Sequence, residues 1–133
     1  MGMEINELTN KIIGAAIRVH KTLLPGYLES VYHNAMIIEM QKEGLEYVSE
    51  KEIDVFYDGI CIGKFKADLV IEGRVIVELK AVSSITTAHE AQLVNYLTAT
   101  GIDDGLILNF GAPKLEIKRK YRIYTPSKYN SKN

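Results

Sequence analysis

Two dipeptides, Asp58-Gly59 and Glu72-Gly73, constrain the fold of this chain more than any other feature. An Asp-Gly pair between two strand-like segments is a strong signal of a two-residue hairpin. The favoured hairpin turn requires positive φ at both central residues, and Asp and Gly adopt positive φ more readily than most residues. The flanking segments, which are rich in β-branched and aromatic residues, read IDVFY, ICIGKF, ADLVI and RVIVELKAV. Strands joined by such short turns must pair antiparallel. The centre of the chain therefore predicts an antiparallel sheet.

Helical periodicity precedes this sheet. Apolar residues recur at helical spacing over residues 5–23, and the sequence LLPG then breaks the pattern. A second helix should run from about Leu28 to Glu43 and end at Gly44, a residue that favours the left-handed conformation at a helix end. The first third of the chain therefore predicts two helices.

A third helix and one or two strands should follow the sheet. Thr87 and Glu90 match a capping box, which predicts a helix that continues to about Ala99 and closes at Gly101. The segments after it are GLILNF, which is typical of a buried strand, and LEIKRKYRIY, which is typical of a more exposed one.

This order of elements predicts an α/β fold with a mixed sheet. A strand reached through the third helix can return parallel to its predecessor by a crossover connection, whereas the turn-linked strands are antiparallel. We expect one domain over residues 1–133, with a core of about 5–124 and a frayed tail at 125–133.

Composition narrows the class of protein. Hydrophobic residues make up 47% of the chain and charged residues 25%, as in ordinary globular domains. The sequence has no apolar run near the roughly 20 residues needed to span a bilayer, and its start lacks a signal-peptide pattern. The single cysteine, Cys61, excludes an internal disulfide and a Cys-rich metal site. We expect a small buried side chain there, and a cytoplasmic protein with no membrane contact.

Charge is distributed unevenly. Residues 114–133 carry seven Lys/Arg and one Asp/Glu, whereas residues 1–113 carry nine Lys/Arg and sixteen Asp/Glu. A basic end on an acidic body could contact phosphates while the acids hold a cation. A solvated tail that aids solubility explains the same distribution.

Three charged residues interrupt the aliphatic strands at the centre of the chain. Side-chain alternation places Glu78 and Lys80 on one face of their strand, and registry across the Glu72-Gly73 turn brings Asp68 beside Glu78. Two adjacent carboxylates repel unless a positive charge lies between them. One interpretation is a structural ion pair with Lys80. The other is an oxygen site for Mg²⁺ or Mn²⁺.

Polar side chains on the helices allow two interpretations. His89, Gln92 and Tyr96 share one face of the third helix, either as a polar rim or as part of a site. Glu29 in the first turn of the second helix and His20 near the end of the first helix both complement a helix dipole.

The motifs together resemble a known family. GYLESVY at residues 26–32 matches the signature G-x-x-E-x-x-Y, and KADLVIEGRVIVELKAV, HEAQLVNYL and LILNFG add to the similarity. Over roughly residues 8–122 the chain resembles the GxxExxY family of the PD-(D/E)XK nuclease superfamily. This resemblance implies a restriction-endonuclease-like fold, a mixed β-sheet flanked by α-helices.

The resemblance also implies roles for individual residues. Asp68 and Glu78 would bind the metal, with the Leu79 carbonyl as a possible third ligand and Glu29 acting directly or through water. Lys80 would assist the nucleophilic water. Gln92 would join this catalytic set, and it would position nucleic acid or the metal shell together with Tyr96. His20 and His89 are further candidates for substrate binding. Independently of the resemblance, the basic strand at 114–122 adds Lys118 and Arg119 as substrate-binding candidates.

Two functions follow from this pattern. The first is a Mg²⁺- or Mn²⁺-dependent nuclease that hydrolyses DNA phosphodiester bonds, with a homodimer as one way to cut two strands. The alternative is a catalytically silent nucleic-acid-binding or assembly module with the same fold, which would bind through the basic strand at 114–122.

Overall fold

The computed structural model describes residues 2–123, which form three helices and one five-stranded sheet. In chain order the elements are α1 (Ile5–Leu23), α2 (Glu29–Lys42), β1 (Tyr47–Tyr57), β2 (Ile60–Ile71), β3 (Val75–Lys80), α3 (Thr87–Thr100), β4 (Asp104–Asn109) and β5 (Glu116–Tyr121). The strand order in the sheet is β1-β2-β3-β4-β5, and β3 with β4 is the parallel pair among antiparallel neighbours. The predicted mixed α/β sheet is confirmed.

Both predicted hairpin turns are present. Asp58 and Gly59 have φ values of 50° and 75°, and Glu72 and Gly73 have 56° and 65°. Positive φ at both central positions matches the right-handed twist of paired strands. Both hairpins therefore form where the sequence predicts them, although the β1–β2 register shifts by one residue between Val55 and Phe56.

The sheet separates two hydrophobic cores. Helices α1 and α2 cover one face, and buried side chains there include Leu8, Ile12, Tyr32, Met36, Leu69, Val77 and Leu108. Helix α3 covers the other face, and buried side chains there include Ala67, Val70, Ile76, Leu93, Leu97 and Ile107. A sheet buried on both faces explains the nearly continuous apolar sequence of β3 and β4.

Side-chain alternation in β2 is interrupted at Asp68. Ala67 packs with the α3 core and Leu69 packs with the core under α1 and α2, although residues two apart in a regular strand share a face. On the neighbouring strand Glu50 has φ 54°, and the register pairs Ser49 with Leu69 and Lys51 with Ala67. The half-buried Asp68 therefore lies at the point in β2 where the alternation of side chains between the two sheet faces is interrupted.

Two local expectations were wrong. The N-cap of α3 is Thr86, whose hydroxyl accepts the His89 N–H at 3.2 Å, while His89 Nδ1 accepts the Thr86 N–H at 3.0 Å. The predicted box of Thr87 and Glu90 lies one residue late, because an imidazole nitrogen replaces the usual Glu or Gln oxygen. Cys61 is exposed rather than buried, since it lies beside the tip of the β1–β2 hairpin.

Two predictions concern the C-terminal end of the chain, the last strand and the tail. Strand β5 ends at Tyr121, and the tail expected at 125–133 lies outside the described residues. Within residues 2–123, no helix combines the length and the apolar character that crossing a membrane requires.

Candidate active site

Asp68 and Glu78 lie side by side where β2 and β3 separate. The regular β2–β3 pairing ends at Leu69 and Val77. Beyond that point the Asp68 N–H donates to Glu78 Oε2 at 3.0 Å, and the Leu79 N–H donates to Asp68 Oδ2 at 2.7 Å. Each carboxylate therefore replaces a missing backbone acceptor, and each has a second oxygen that these two bonds do not use.

The surroundings of both acids disfavour negative charge. Glu78 is 6% exposed. Its burial, followed by the proximity of Asp68, raises its pKa from the ordinary 4.5 to about 8. Burial also raises the pKa of Asp68, although the Leu79 N–H, His33 and Lys80 act in the opposite direction. The pair therefore lacks sufficient compensating positive charge.

Glu29 and Lys80 complete this charge cluster. Glu29 begins α2, and its pKa is raised first by partial burial and then by Asp68. Lys80 is half-buried at the end of β3 and lowers the pKa of all three acids. The structure therefore brings together the four charged residues that the sequence singled out from one helix and two strands.

The oxygen atoms of this cluster fit a hard divalent cation. Mg²⁺ in proteins takes one or two carboxylates and keeps several waters, rather than requiring a complete protein cage. Across residues 2–123 there is no group of three or more His, Cys, Asp or Glu side chains arranged to hold a metal by themselves. Two carboxylates that are short of positive charge therefore fit a hydrated ion. The Leu79 carbonyl and Glu29 stay predicted ligands.

His33 belongs to the cluster, although no role was predicted for it. It lies one turn after Glu29 on α2, and its charge lowers the pKa of both Glu29 and Asp68. Its Nε2 is 2.9 Å from the Ser49 hydroxyl on β1. The signal available in the sequence was the offset of four residues from Glu29, which places both side chains on one helix face.

Tyr96 approaches the acid pair from α3. Its ring is nearly buried and stacks on Phe65 at 3.8 Å between centroids with a 14° interplanar angle. Burial raises the pKa of Tyr96, and Glu78 and Asp68 raise it further. Gln92, one turn earlier, is exposed and lines a groove beside Tyr96. Tyr96 is thus coupled to the acids, whereas Gln92 lies at the surface.

The two other histidine candidates have structural contacts. His20 is buried, with Nε2 2.9 Å from the Ala112 carbonyl oxygen, and this contact links α1 to the segment after β4. His89 uses Nδ1 in the cap of α3, as described above. These contacts are explained by structural roles alone, and the substrate-binding roles of both histidines stay predictions.

Lys118 and Arg119 lie on β5, which is an edge of the sheet and is separated from β3 by β4. Lys118 is exposed. Arg119 is 3.4 Å from Asp104 and lies over the ring of Tyr121 at 5.3 Å. The structure thus places both residues away from the acid pair, on another strand, and their contact with substrate stays a prediction.

A polar network behind Lys80 was not anticipated. Asn109, fully buried and paired with Lys80 in the parallel β3–β4 register, accepts the N–H groups of Val82 and Gly111 through Oδ1, both at 3.0 Å. Its amide donates to Glu116 Oε1 at 3.0 Å, and this oxygen also accepts the Ile85 N–H at 2.9 Å. The network fixes the chain that follows Lys80. The polar residue in LILNF was its only signal.

Comparison with known proteins agrees with this geometry. The family model of the PD-(D/E)XK nuclease superfamily matches residues 6–120. No match was found among curated proteins or among solved structures. The match includes every element from α1 to β5 except the first residue of α1 and the last of β5. The fold expected from the resemblance is therefore confirmed, and the chain belongs to the PD-(D/E)XK nuclease superfamily.

Proposed function

We propose that this protein is a divalent-metal-dependent nuclease of the GxxExxY type that hydrolyses DNA phosphodiester bonds. One observation carries the proposal: Asp68 and Glu78, adjacent and partly desolvated, lie beside the Lys80 ammonium at the divergence of β2 and β3. Perturbed acids that share a site with a lysine are a recurring feature of catalytic centres.

Asp68 and Glu78 would hold Mg²⁺ or Mn²⁺ with the oxygens that the backbone does not use, assisted by the Leu79 carbonyl and by Glu29. When bound, such an ion supplies positive charge to the phosphodiester and lowers the pKa of water. The backbone N–H groups of Asp68 and Leu79 hold the carboxylates in position before substrate arrives. Preorganisation of this kind avoids reorganisation during the reaction.

Lys80 would act on the substrate and on the attacking water. Its ammonium is a compact charge with three donors, so it can orient a water and stabilise negative charge on a phosphate oxygen. Asn109 holds the backbone after Lys80 in place, which limits where the ammonium can lie. Gln92 and Tyr96 would position nucleic acid from the α3 side.

The alternative, a silent module that binds through the basic strand, has weaker support. Three basic residues of that segment are engaged in ion pairs: Arg119 with Asp104, Lys120 with Glu90, and Arg122 with Asp103. Such pairs reduce the positive charge available to phosphates.

We further propose DNA as the partner, a homodimer for double-strand cutting, and a reducing cytoplasm as the compartment.

Cleavage of DNA tests the proposal. Wild-type protein is incubated with plasmid and with linear single- and double-stranded DNA, with Mg²⁺, Mn²⁺ or a chelator. We expect cleavage with either ion, none with chelator, and loss in both Asp68→Ala and Lys80→Ala. The exposed Lys21 on α1 offers a matched control, since Lys21→Ala should cleave like wild type. Absence of wild-type cleavage, or cleavage by Asp68→Ala and Lys80→Ala at the wild-type level, would overturn the proposal.

A further inference from the structure

A groove of about 690 Å³ runs between the β1–β2 hairpin and α3, outside the acid cluster. The residues that matter for its chemistry are Asp54, Phe56, Phe65, Gln92, Asn95 and Tyr96. Aromatic rings and primary amides thus line the same concave surface. Sites that combine apolar walls with a few polar groups are typical of small-ligand subsites.

The aromatic lining has an ordered part and an open part. Phe65 and Tyr96 stack on each other, so their rings are fixed by mutual contact. Phe56, near the hairpin tip, is 62% exposed, and its ring has solvent available to it. An exposed aromatic face beside a concavity is a stacking platform for a flat ring, and every nucleobase presents such a ring.

The amides supply hydrogen bonding without charge. Gln92 and Asn95 are three residues apart on α3, so they share a helix face, and both are exposed in the groove. Each amide offers two N–H donors and a carbonyl acceptor, a combination that matches the donors and acceptors on base edges. An aliphatic ligand would leave these groups without a matching partner.

Charge favours a base over a phosphate in this groove. The acid of the lining, Asp54, is 3.0 Å from Lys64, so its charge is compensated on the hairpin itself. The other residues named above are neutral. A phosphate would instead require cationic or backbone N–H contacts. The complementary occupant is an uncharged, flat group with polar edges.

The groove lies next to the acid cluster, because Phe65, which lines it, is three residues before Asp68 on β2. Tyr96 also lines the groove, and its pKa is raised first by burial and then by Glu78 and Asp68. A nucleotide with its base in the groove would therefore lead its backbone toward the acid pair.

We propose that this groove binds one unpaired nucleobase of a single-stranded or frayed nucleic acid, which stacks on Phe56 and is hydrogen-bonded by Gln92 and Asn95. The inference rests on the proposed function, since it names the form of nucleic acid which that site receives. A duplex keeps its bases stacked and paired, so binding in the groove requires a base that is already free or is extruded.

The test uses an oligonucleotide in which 2-aminopurine, a fluorescent adenine analogue, is the central base. The full chain carries Glu78→Gln as a common background, and a chelator is present, so that repulsion from the acid cluster is reduced and cleavage is prevented. Single-stranded and duplex forms are titrated, and both affinity and fluorescence are recorded. We expect strong quenching on binding and at least tenfold tighter binding of the single strand.

Variants separate the groove from the rest of the hairpin. Phe56→Ala should weaken single-strand binding by about tenfold and abolish the quenching, as stacking losses in other proteins suggest. Phe56→Tyr should retain both. Tyr57→Ala is the matched control, because Tyr57 is 68% exposed on the same hairpin and does not line the groove. Asn95→Ala should weaken binding severalfold, whereas Asn10→Ala on α1 should not.

The outcomes are distinct. Equal effects of Phe56→Ala and Tyr57→Ala, equal affinity for duplex, or no binding would overturn the inference. So would a dimer without nucleic acid that both hairpin substitutions abolish, since this would assign the hairpin to self-association. Quenching that depends on Phe56, together with no cleavage by wild type in Mg²⁺, would support the groove and reject the nuclease. Cleavage by wild type without quenching that depends on Phe56 would support the nuclease and reject the groove.

Discussion

Asp68 and Glu78 are joined crosswise between two strands: the Asp68 N–H donates to the Glu78 carboxylate at 3.0 Å, and the Asp68 carboxylate accepts the Leu79 N–H at 2.7 Å. The two acids therefore complete the sheet at the point where its ladder ends. Their charges are nevertheless unfavourable there, because both are removed from water and lie beside each other. Several consequences of this conflict between hydrogen bonding and charge can be measured.

Removing the charge of Glu78 should stabilise the metal-free protein. In Glu78→Gln the amide oxygen can still accept the Asp68 N–H, and folding no longer requires residue 78 either to take up a proton or to bury a charge. A pKa raised from 4.5 to about 8 corresponds to a penalty on the order of 3 kcal/mol near pH 7. We expect a Tm roughly 5–10 °C above wild type in chelator, measured by calorimetry.

The same variant should lose the response to metal. Mn²⁺ should raise the Tm of wild type, because a ligand that binds only the folded state stabilises it, and it should leave Glu78→Gln unchanged. Glu7→Gln, at an exposed position on α1, is the control and should behave like wild type. A metal-dependent increase of equal size in Glu78→Gln would show that Glu78 does not hold the ion.

The stability of the metal-free protein should depend on pH through Glu78. Because its folded pKa is raised, the folded state binds this proton more tightly than the unfolded chain does. The associated stability is fully present below the unfolded value of about 4.5 and is lost as pH rises through about 8.

The difference between wild type and Glu78→Gln isolates this effect, since other titrating groups largely cancel. Urea unfolding in chelator from pH 5 to 8.5 should show the variant gaining on wild type by a few kcal/mol as pH rises. A difference that stays constant across this range would mean that the Glu78 pKa is not raised.

Asn109 should be essential to the segment that follows Lys80. In Asn109→Ala the N–H groups of Val82 and Gly111 lose their buried acceptor. An unsatisfied buried donor costs about 1–3 kcal/mol, so we expect a loss of about 2–4 kcal/mol in the free energy of unfolding. Urea denaturation measures it, with the exposed Asn10→Ala as control. A loss below about 0.5 kcal/mol would contradict the role given to this network.

A side chain at Gly111 should destabilise the protein. A Cβ there would lie 2.5 Å from the Val82 nitrogen and 2.6 Å from the Ala81 carbonyl carbon, both of which are backbone atoms. Forcing the two segments apart should cost roughly 1–3 kcal/mol in Gly111→Ala. Gly63 on β2 has open space at its Cβ, so Gly63→Ala is the matched control. Equal thermal midpoints for the two variants would refute the close approach.

The sequence predicted those features of the fold that local chemistry determines. The turns at Asp58-Gly59 and Glu72-Gly73 determined the two hairpins because loops of two or three residues allow few backbone conformations. The strong periodicity of residues 5–23 gave the bounds of α1 correctly. The start of α3 was misplaced because Thr86 and Thr87 can both cap a helix, and only the His89 contact distinguishes them.

The part of the candidate site that lies on the adjacent strands β2 and β3 could be predicted from the sequence. Registry across the Glu72-Gly73 turn was enough to bring Asp68 beside Glu78. The contacts of His33 with Ser49 and of Asn109 with Glu116 depend on how distant segments pack, which local patterns do not encode. The exposure of Cys61 likewise depends on how neighbouring elements pack around the tip of the β1–β2 hairpin, which local patterns do not encode.

Titration of the metal-free protein with Mn²⁺ by isothermal calorimetry tests most directly whether the acid pair holds a cation. Wild type should bind the ion with saturation, and Asp68→Asn should lose that binding while its circular dichroism spectrum stays native. Lys80→Ala should still bind, because the ammonium is not a ligand. No saturable binding by wild type, or binding of equal affinity in Asp68→Asn, would contradict the site as described.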